Sequence, residues 1–180
     1  PRVGGAQISK LLRKIKLLLL LPLRVLFLTP DEKRGFGPHL EKAALDEIAE
    51  KDYSLIYATS PPFSVLLTAI EVKRKTGLPL ILEIKDDWVQ PNQFLGLRWH
   101  RRFIESRMER KCMASADRVI TVTRKSCEGY KSRYPEFQEK FICIPNGCDV
   151  SEYQPYWSDA PASFDKFTLI HSGVITGTRN

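Results

Sequence analysis

Residues 52–88 read DYSLIYATSPPFSVLLTAIEVKRKTGLPLILEIKDDW, and this stretch decides the fold class. Tyr53–Ala58 (YSLIYA) reads as a strand, Phe63–Thr76 as a helix, and Leu80–Ile84 (LILEI) as a second strand after the break Gly77-Leu78-Pro79. Strand, helix and strand in succession make a βαβ unit with parallel strands. The alternation continues with a helix over residues 98–116, a strand at Arg118–Val122 (RVITV), a helix over 124–133 and a strand at Lys140–Ile144 (KFICI). This predicts an α/β chain with a doubly wound parallel sheet covered on both faces. Upstream, Pro38 suits the first turn of a helix carrying Leu40, Ala43, Ala44 and Ile48. Ser9 is placed to cap a helix from about Lys10 to Leu21 that Pro22 ends, whereas Leu23–Leu28 is too short and too apolar for periodicity to assign. Downstream, residues 151–166 have linker composition, and Phe167–Ile170 reads as the start of a fifth strand.

Hydrophobic residues are 43% and charged residues 27% of the 180, which excludes wholesale disorder. At roughly 150 residues per domain, the length predicts one complete domain plus a remnant. The formal net charge is +7, which favours phosphate-bearing partners or an anionic lipid surface. The basic residues lack the aromatic interleaving of a base-stacking platform, so no nucleic-acid partner is expected. Cys112, Cys127, Cys143 and Cys148 contain no CxxC pair and stand apart from His39, His100 and His171, so no metal site is expected. Reduced thiols point to a cytoplasmic setting. The leucine-rich stretch 11–28 is broken by Arg13, Lys14, Lys16, Pro22 and Arg24 and is too interrupted to span a bilayer. It reads either as a core helix with solvated lysines or as a basic amphipathic helix at the inner face of an anionic membrane.

Ligands of open parallel sheets bind at the carboxyl ends of the strands. The residues found there are Thr59-Ser60-Pro61-Pro62, Lys85-Asp86-Asp87-Trp88, Thr123, Pro145-Asn146-Gly147-Cys148-Asp149 and His171-Ser172-Gly173. Ser60 before two prolines suits a helix start or an anion contact. Asp86 beside Trp88 suits sugar hydroxyls and ring stacking, with a plain turn as the simpler account. Asn146-Gly147 signals a turn with positive φ. Gly173 would let backbone approach a diphosphate.

In this order, Asp52–Pro62 (DYSLIYATSPP), Gly77–Trp88 (GLPLILEIKDDW), Ala116–Thr123 (ADRVITVT) and Lys140–Asp149 (KFICIPNGCD) resemble the N-terminal, acceptor-side domain of family 4 glycosyltransferases of the GT-B fold. The last is close to that family's IPNG-hydrophobe-D pattern, and the resemblance covers about residues 20–180. It implies that residues 1–150 are that domain lacking its first strand, 151–166 a linker, and 167–180 the start of a nucleotide-sugar-binding C-terminal domain. The fold would then be the Rossmann-like half of a GT-B enzyme, incomplete at both ends. The implied activity is transfer of a hexosyl or related sugar, with retention, from a nucleotide sugar to a polysaccharide or glycolipid acceptor in surface-glycan assembly. Neither a metal nor another cofactor is implied, and no catalytic residue is assigned. By motif, Ser60, Pro61, Asp86 and Trp88 would line the acceptor side, Asn146, Gly147 and Asp149 the interdomain edge, and Gly173 the donor phosphates. Lys85 stands where the family often has Arg, and Val174 and Asn180 fall near the usual diphosphate-clamping Arg and Lys. The fragment alone would be inactive. The other reading is a non-catalytic α/β module that binds a nucleotide, nucleic acid or partner protein.

Overall fold

The structure, a computed structural model, describes residues 29–88, 99–158 and 163–173. It divides into two compact units at the Pro145–Asn146 bond. In the first, a 3-10 turn at Arg34–Phe36 leads into α1 (Gly37–Glu50), followed by β1 (Ile56–Ser60), α2 (Ser64–Thr76), β2 (Leu80–Ile84), α3 (Trp99–Ser115), β3 (Arg118–Thr121), α4 (Arg124–Arg133), a 3-10 turn (Pro135–Lys140) and β4 (Phe141–Cys143). The four strands pair in parallel in the order β1-β2-β3-β4. The α/β class with a parallel sheet is therefore as expected. β1 begins three residues later than its composition suggests, because its ladder starts at Ile56 opposite Leu80 and Tyr53 lies before any pairing. The segments Lys10–Leu21 and Leu23–Leu28 lie outside the described residues.

Each strand is followed in space by the next, so each crossover advances the sheet in one direction. Crossovers of one hand that all advance one way put their helices on one face. The burial follows that rule. Across the ladder, Ala58, Leu82, Val119 and Phe141 form one buried row, which packs with Leu66, Ala69 and Ile70 of α2, Met113 of α3 and Cys127 and Tyr130 of α4. The alternate row, Thr59, Glu83, Ile120 and Ile142, stays partly or fully exposed. Among the described residues, then, helices cover one face, and the expected cover on the other is not among them.

α2 ends at Gly77 (φ 74), the left-handed conformation that terminates helices at least cost to glycine. α3 ends without a glycine, and two ammonium groups serve its last carbonyls. Lys73 Nζ donates to Ser115 O (2.9 Å), and Lys140 Nζ donates to Ala114 O and Ala116 O (2.7 Å each), as suits the negative pole of a helix.

The second unit is small. Asp149 caps a single helical turn, α5 (Val150–Tyr153), by accepting from Ser151 N (2.9 Å), and a 3-10 turn follows at Gln154–Tyr156. The stretch read as a linker thus begins with ordered turns. Phe167–Ile170 forms no strand, and Phe167 is 92% exposed. A strand needs a neighbouring strand for its backbone groups, and none of the described residues supplies one.

Asp117, between α3 and β3, joins three elements at the amino end of the sheet. Its carboxylate accepts from Leu80 N, the first residue of β2, and from Lys73 Nζ on α2, both at 2.6 Å. These bonds, that from Lys73 foremost, hold its carboxyl below the ordinary range. A depressed native pKa contributes stability above the unfolded-state value near 3.8 and loses it as pH falls through the native one. We predict that Asp117→Asn flattens the fall in urea midpoint between pH 6 and pH 3 relative to the parent chain.

Glu109 on α3 is fully buried and ties α3 to α4. It accepts from Tyr134 Oη (2.6 Å), Tyr130 Oη (3.1 Å) and Arg133 Nη1 (2.9 Å). Removing the carboxylate would leave the Arg133 guanidinium and the buried Tyr134 hydroxyl without this acceptor, and would leave the Tyr130 hydroxyl only the Trp88 N–H that it accepts. Glu109→Ala is expected to cost about 3 kcal/mol of unfolding free energy in urea denaturation, while the exposed Glu128→Ala should cost under about 0.5 kcal/mol.

Candidate functional site

The carboxyl ends of β1 and β2 meet in a rim. β1 leaves through Ser60-Pro61-Pro62, and β2 through Lys85-Asp86-Asp87-Trp88. Ser60 is buried, and its Oγ donates to Glu83 O at 3.4 Å, whereas Pro61 is exposed. Trp88 is 2% exposed and stacks on Phe63, with ring centroids 4.8 Å apart and planes at 11°. The Trp88 N–H donates to Tyr130 Oη at 3.2 Å. The indole is thus a plug that joins the two strand exits, and Asp86, two residues earlier, is exposed. Asp87 accepts a short hydrogen bond from Ser126 Oγ and so anchors the loop to α4. Thr123 caps α4, accepting from Ser126 N at 3.1 Å.

A helix start at Ser60 is not what forms. α2 begins at Ser64, and its cap comes from Asp31, far away in sequence, which accepts from Ser64 N (2.8 Å) and Ser64 Oγ (2.7 Å). The same loop is held by Arg101 on α3, whose Nη2 donates to Pro30 O (2.8 Å) while its Nε donates to Glu105 Oε1 (2.7 Å). Glu105 is 2% exposed, and among the described residues neither its Oε2 nor the buried Trp88 Nε1 has a hydrogen-bond partner. Burial raises the Glu105 carboxyl above its ordinary range against the pull of Arg101.

On the open face, Thr59 Oγ1 donates to Glu83 Oε2 at 2.7 Å, which lowers the Glu83 carboxyl below its ordinary range. This carboxylate in the middle of a strand stands two residues before Lys85 and the rim.

In the second unit, neither Asn146 nor Gly147 has positive φ, so the turn expected there is absent. The chain instead runs without regular structure to Asp149, which takes up Ser151 N and Ser151 Oγ as a cap. Those bonds lower the Asp149 carboxyl. Gly173 has φ 143, where a side chain would be strained, and an added Cβ would meet His171 Nε2 at 3.5 Å.

Among the described residues, no three His, Cys, Asp or Glu side chains gather to hold a metal ion, and no helix is long and apolar enough to cross a membrane. Burial pushes the Cys112 thiol up to about 12, which makes it unreactive.

Asp31, Glu83, Arg101 and Glu105 were not singled out by the sequence reading. One signal was available: Arg101, Glu105 and Glu109 recur every four residues in the helix expected over residues 98–116, a spacing that puts all three on one face. Asp31→Ala is expected to lower thermal stability by about 1–2 kcal/mol through loss of the α2 cap, with Asp31→Asn recovering part of it. Differential scanning calorimetry of the three chains checks this.

A comparison with curated proteins finds no match. The sequence model of Glycosyltransferase Family 4 matches residues 10–152, a span that takes in all four strands, every crossover between them and the rim of β1 and β2. With most of its length so matched, the chain belongs to glycosyltransferase family 4.

Proposed function

We propose that this chain is the acceptor-side portion of an enzyme that moves a hexosyl or related sugar, with retention, from a nucleotide sugar to a polysaccharide or glycolipid acceptor. The observation that carries this reading is the family match over residues 10–152, whose span includes the rim where parallel sheets bind ligands. In the reaction, the bond between the anomeric carbon and the diphosphate oxygen breaks, and one to the acceptor hydroxyl oxygen forms. Such chemistry rests on positioning the two substrates and on stabilising charge on the departing diphosphate. The donor side, with Gly173 close to the phosphates, belongs to a C-terminal domain that begins near residue 167. Asn146, Gly147 and Asp149 serve the interdomain edge. Neither a metal nor another cofactor takes part in this reading.

On the acceptor side, the groups differ in what they can offer. Asp86 is exposed and ready to accept from a sugar hydroxyl, and Pro61, on the exit of the neighbouring strand, is exposed as well. Ser60 and Trp88 are buried and act by holding these two in place. Cell-surface glycan assembly at the cytoplasmic face of the membrane, with peripheral contact, fits the +7 charge and a lipid-linked acceptor.

The full-length parent is expected to bind and hydrolyse at least one nucleotide sugar, and the 180-residue chain to transfer none. Asp86→Asn in the parent should lower kcat/KM by about tenfold to a hundredfold with unchanged circular dichroism. A parent that neither binds nor turns over any nucleotide sugar overturns the reading.

A further inference from the structure

We propose, on the reading of this rim as the acceptor side, that Ser126 and Tyr130 of α4 are positioning residues: they grip the two residues that follow Asp86 and so fix where its carboxylate meets an acceptor hydroxyl. The grip follows from helix geometry. Ser126 and Tyr130 stand four apart on α4, a spacing that puts both on one face. That face meets consecutive residues of the loop after β2. Ser126 Oγ donates a short hydrogen bond to Asp87 Oδ1, and Tyr130 Oη accepts from Trp88 N at 3.2 Å. On the other side of Asp86, Lys85 N donates to Ser60 O at 3.2 Å, which ties the loop to the end of β1. Asp86 thus lies between two anchors, with its backbone held on both sides and its exposed carboxylate free to turn only about its own side-chain torsions. Among the described residues that carboxylate makes no hydrogen bond or ion pair of its own, so the held backbone is what places it.

Each holder is itself held. Thr123 Oγ1 accepts from Ser126 N at 3.1 Å, which fixes the first turn of α4. Tyr130 is 1% exposed, stacks on Phe141 with ring centroids 5.7 Å apart, and donates its hydroxyl proton to Glu109 Oε1 at 3.1 Å. Burial, with the Glu109 charge beside it, raises that hydroxyl well above its ordinary range. It therefore stays protonated, donating to Glu109 while accepting from Trp88. A reacting group misplaced by about 1 Å costs on the order of a hundredfold in rate, and rigid support from a neighbouring helix is what prevents such slack. Tyr134 supplies a matched control within the same cluster. Its hydroxyl donates to the other oxygen of Glu109 at 2.6 Å, and among the described residues none of its hydrogen bonds reaches the loop. Removing either hydroxyl takes one donor from Glu109, but only the loss at Tyr130 also strands the buried Trp88 amide.

The test has two arms, of which the first is independent of any transferase assay. In the 180-residue chain, the backbone order parameter of Asp86 by NMR relaxation is expected at about 0.85, falling below about 0.6 in the double variant Ser126→Ala/Tyr130→Phe and unchanged in Tyr134→Phe. Either single variant serves if the double one fails to fold. In the full-length parent, hydrolysis of ADP-, GDP-, UDP- and dTDP-linked hexoses is measured in turn, with water in the acceptor's place. Ser126→Ala and Tyr130→Phe should each lower kcat about tenfold at unchanged KM for the nucleotide sugar, while Tyr134→Phe leaves kcat within about twofold. Because both residues act through Asp86, their effects should shrink below about twofold in an Asp86→Asn background, where a merely structural loss would persist. An Asp86 order parameter that the variants leave unchanged overturns the proposal. So does a kcat that they leave intact, a loss that Tyr134→Phe reproduces, or one that persists in the Asp86→Asn background. A parent that hydrolyses none of these sugars, or in which Asp86→Asn changes nothing, overturns the reading of the rim itself and the proposal with it.

Discussion

Parallel pairing is the constraint on which the rest of this structure depends. Two parallel strands cannot be joined by a tight turn, so the chain must climb back from the end of one to the start of the next. Three such returns, α2, α3 and α4, all advance the sheet in the same sense and so stack on one side. The buried row Ala58, Leu82, Val119, Phe141 and the row Thr59, Glu83, Ile120, Ile142, which no helix covers among the described residues, are two results of that single rule. The same rule sends every strand out at one end, which is why residues from Ser60 to Thr123 reach a common rim.

Apolar burial supplies the driving force, but it does not say which loop goes where. That work falls to a few carboxylates with several donors each. Asp117 fixes the amino end by joining β2, α2 and the α3–β3 connection. Glu109 fixes α3 against α4. Asp31 fixes the loop before α1 to the start of α2. In each case a charge is placed where backbone or side-chain donors would otherwise go unsatisfied, so losing it costs more than the bonds themselves.

The fold was largely legible in the sequence because its signals are local. LILEI is bounded by a Gly-Leu-Pro break, and Leu80–Ile84 and Arg124–Arg133 form where their composition places them. Tyr53 and Leu55 have strand-like side chains yet precede β1, because only the partner strand decides where pairing begins. Phe167–Ile170 looks like a strand for the same reason and has no neighbour to make it one. The rim was legible in outline, as the residues that follow strands, but not in its internal arrangement. Nothing local announces that Asp31 caps a helix starting at Ser64, or that Trp88 faces inward onto Phe63. Those are contacts across tens of residues, and the side chains involved look like ordinary loop residues until the sheet brings them together. Asn146-Gly147 misled in the opposite way, since a strong turn dipeptide gave way to the cap at Asp149.

The stacked pair Phe63–Trp88 divides the rim into positions of unequal freedom to change. Trp88 touches the exits of two strands and, through its amide, the hydroxyl of Tyr130 on α4, so a replacement there disturbs three elements at once. Asp86 and Pro61 project from the same frame with little resting on them. On the proposed reading of this rim as the acceptor side, a lineage could alter which molecule it takes by exchanging residues 61 and 86 while keeping the frame intact. Diversification of specificity is cheap at those two positions and costly at the tryptophan between the strands, so variation among relatives should concentrate on the exposed side chains and spare the stack beneath them.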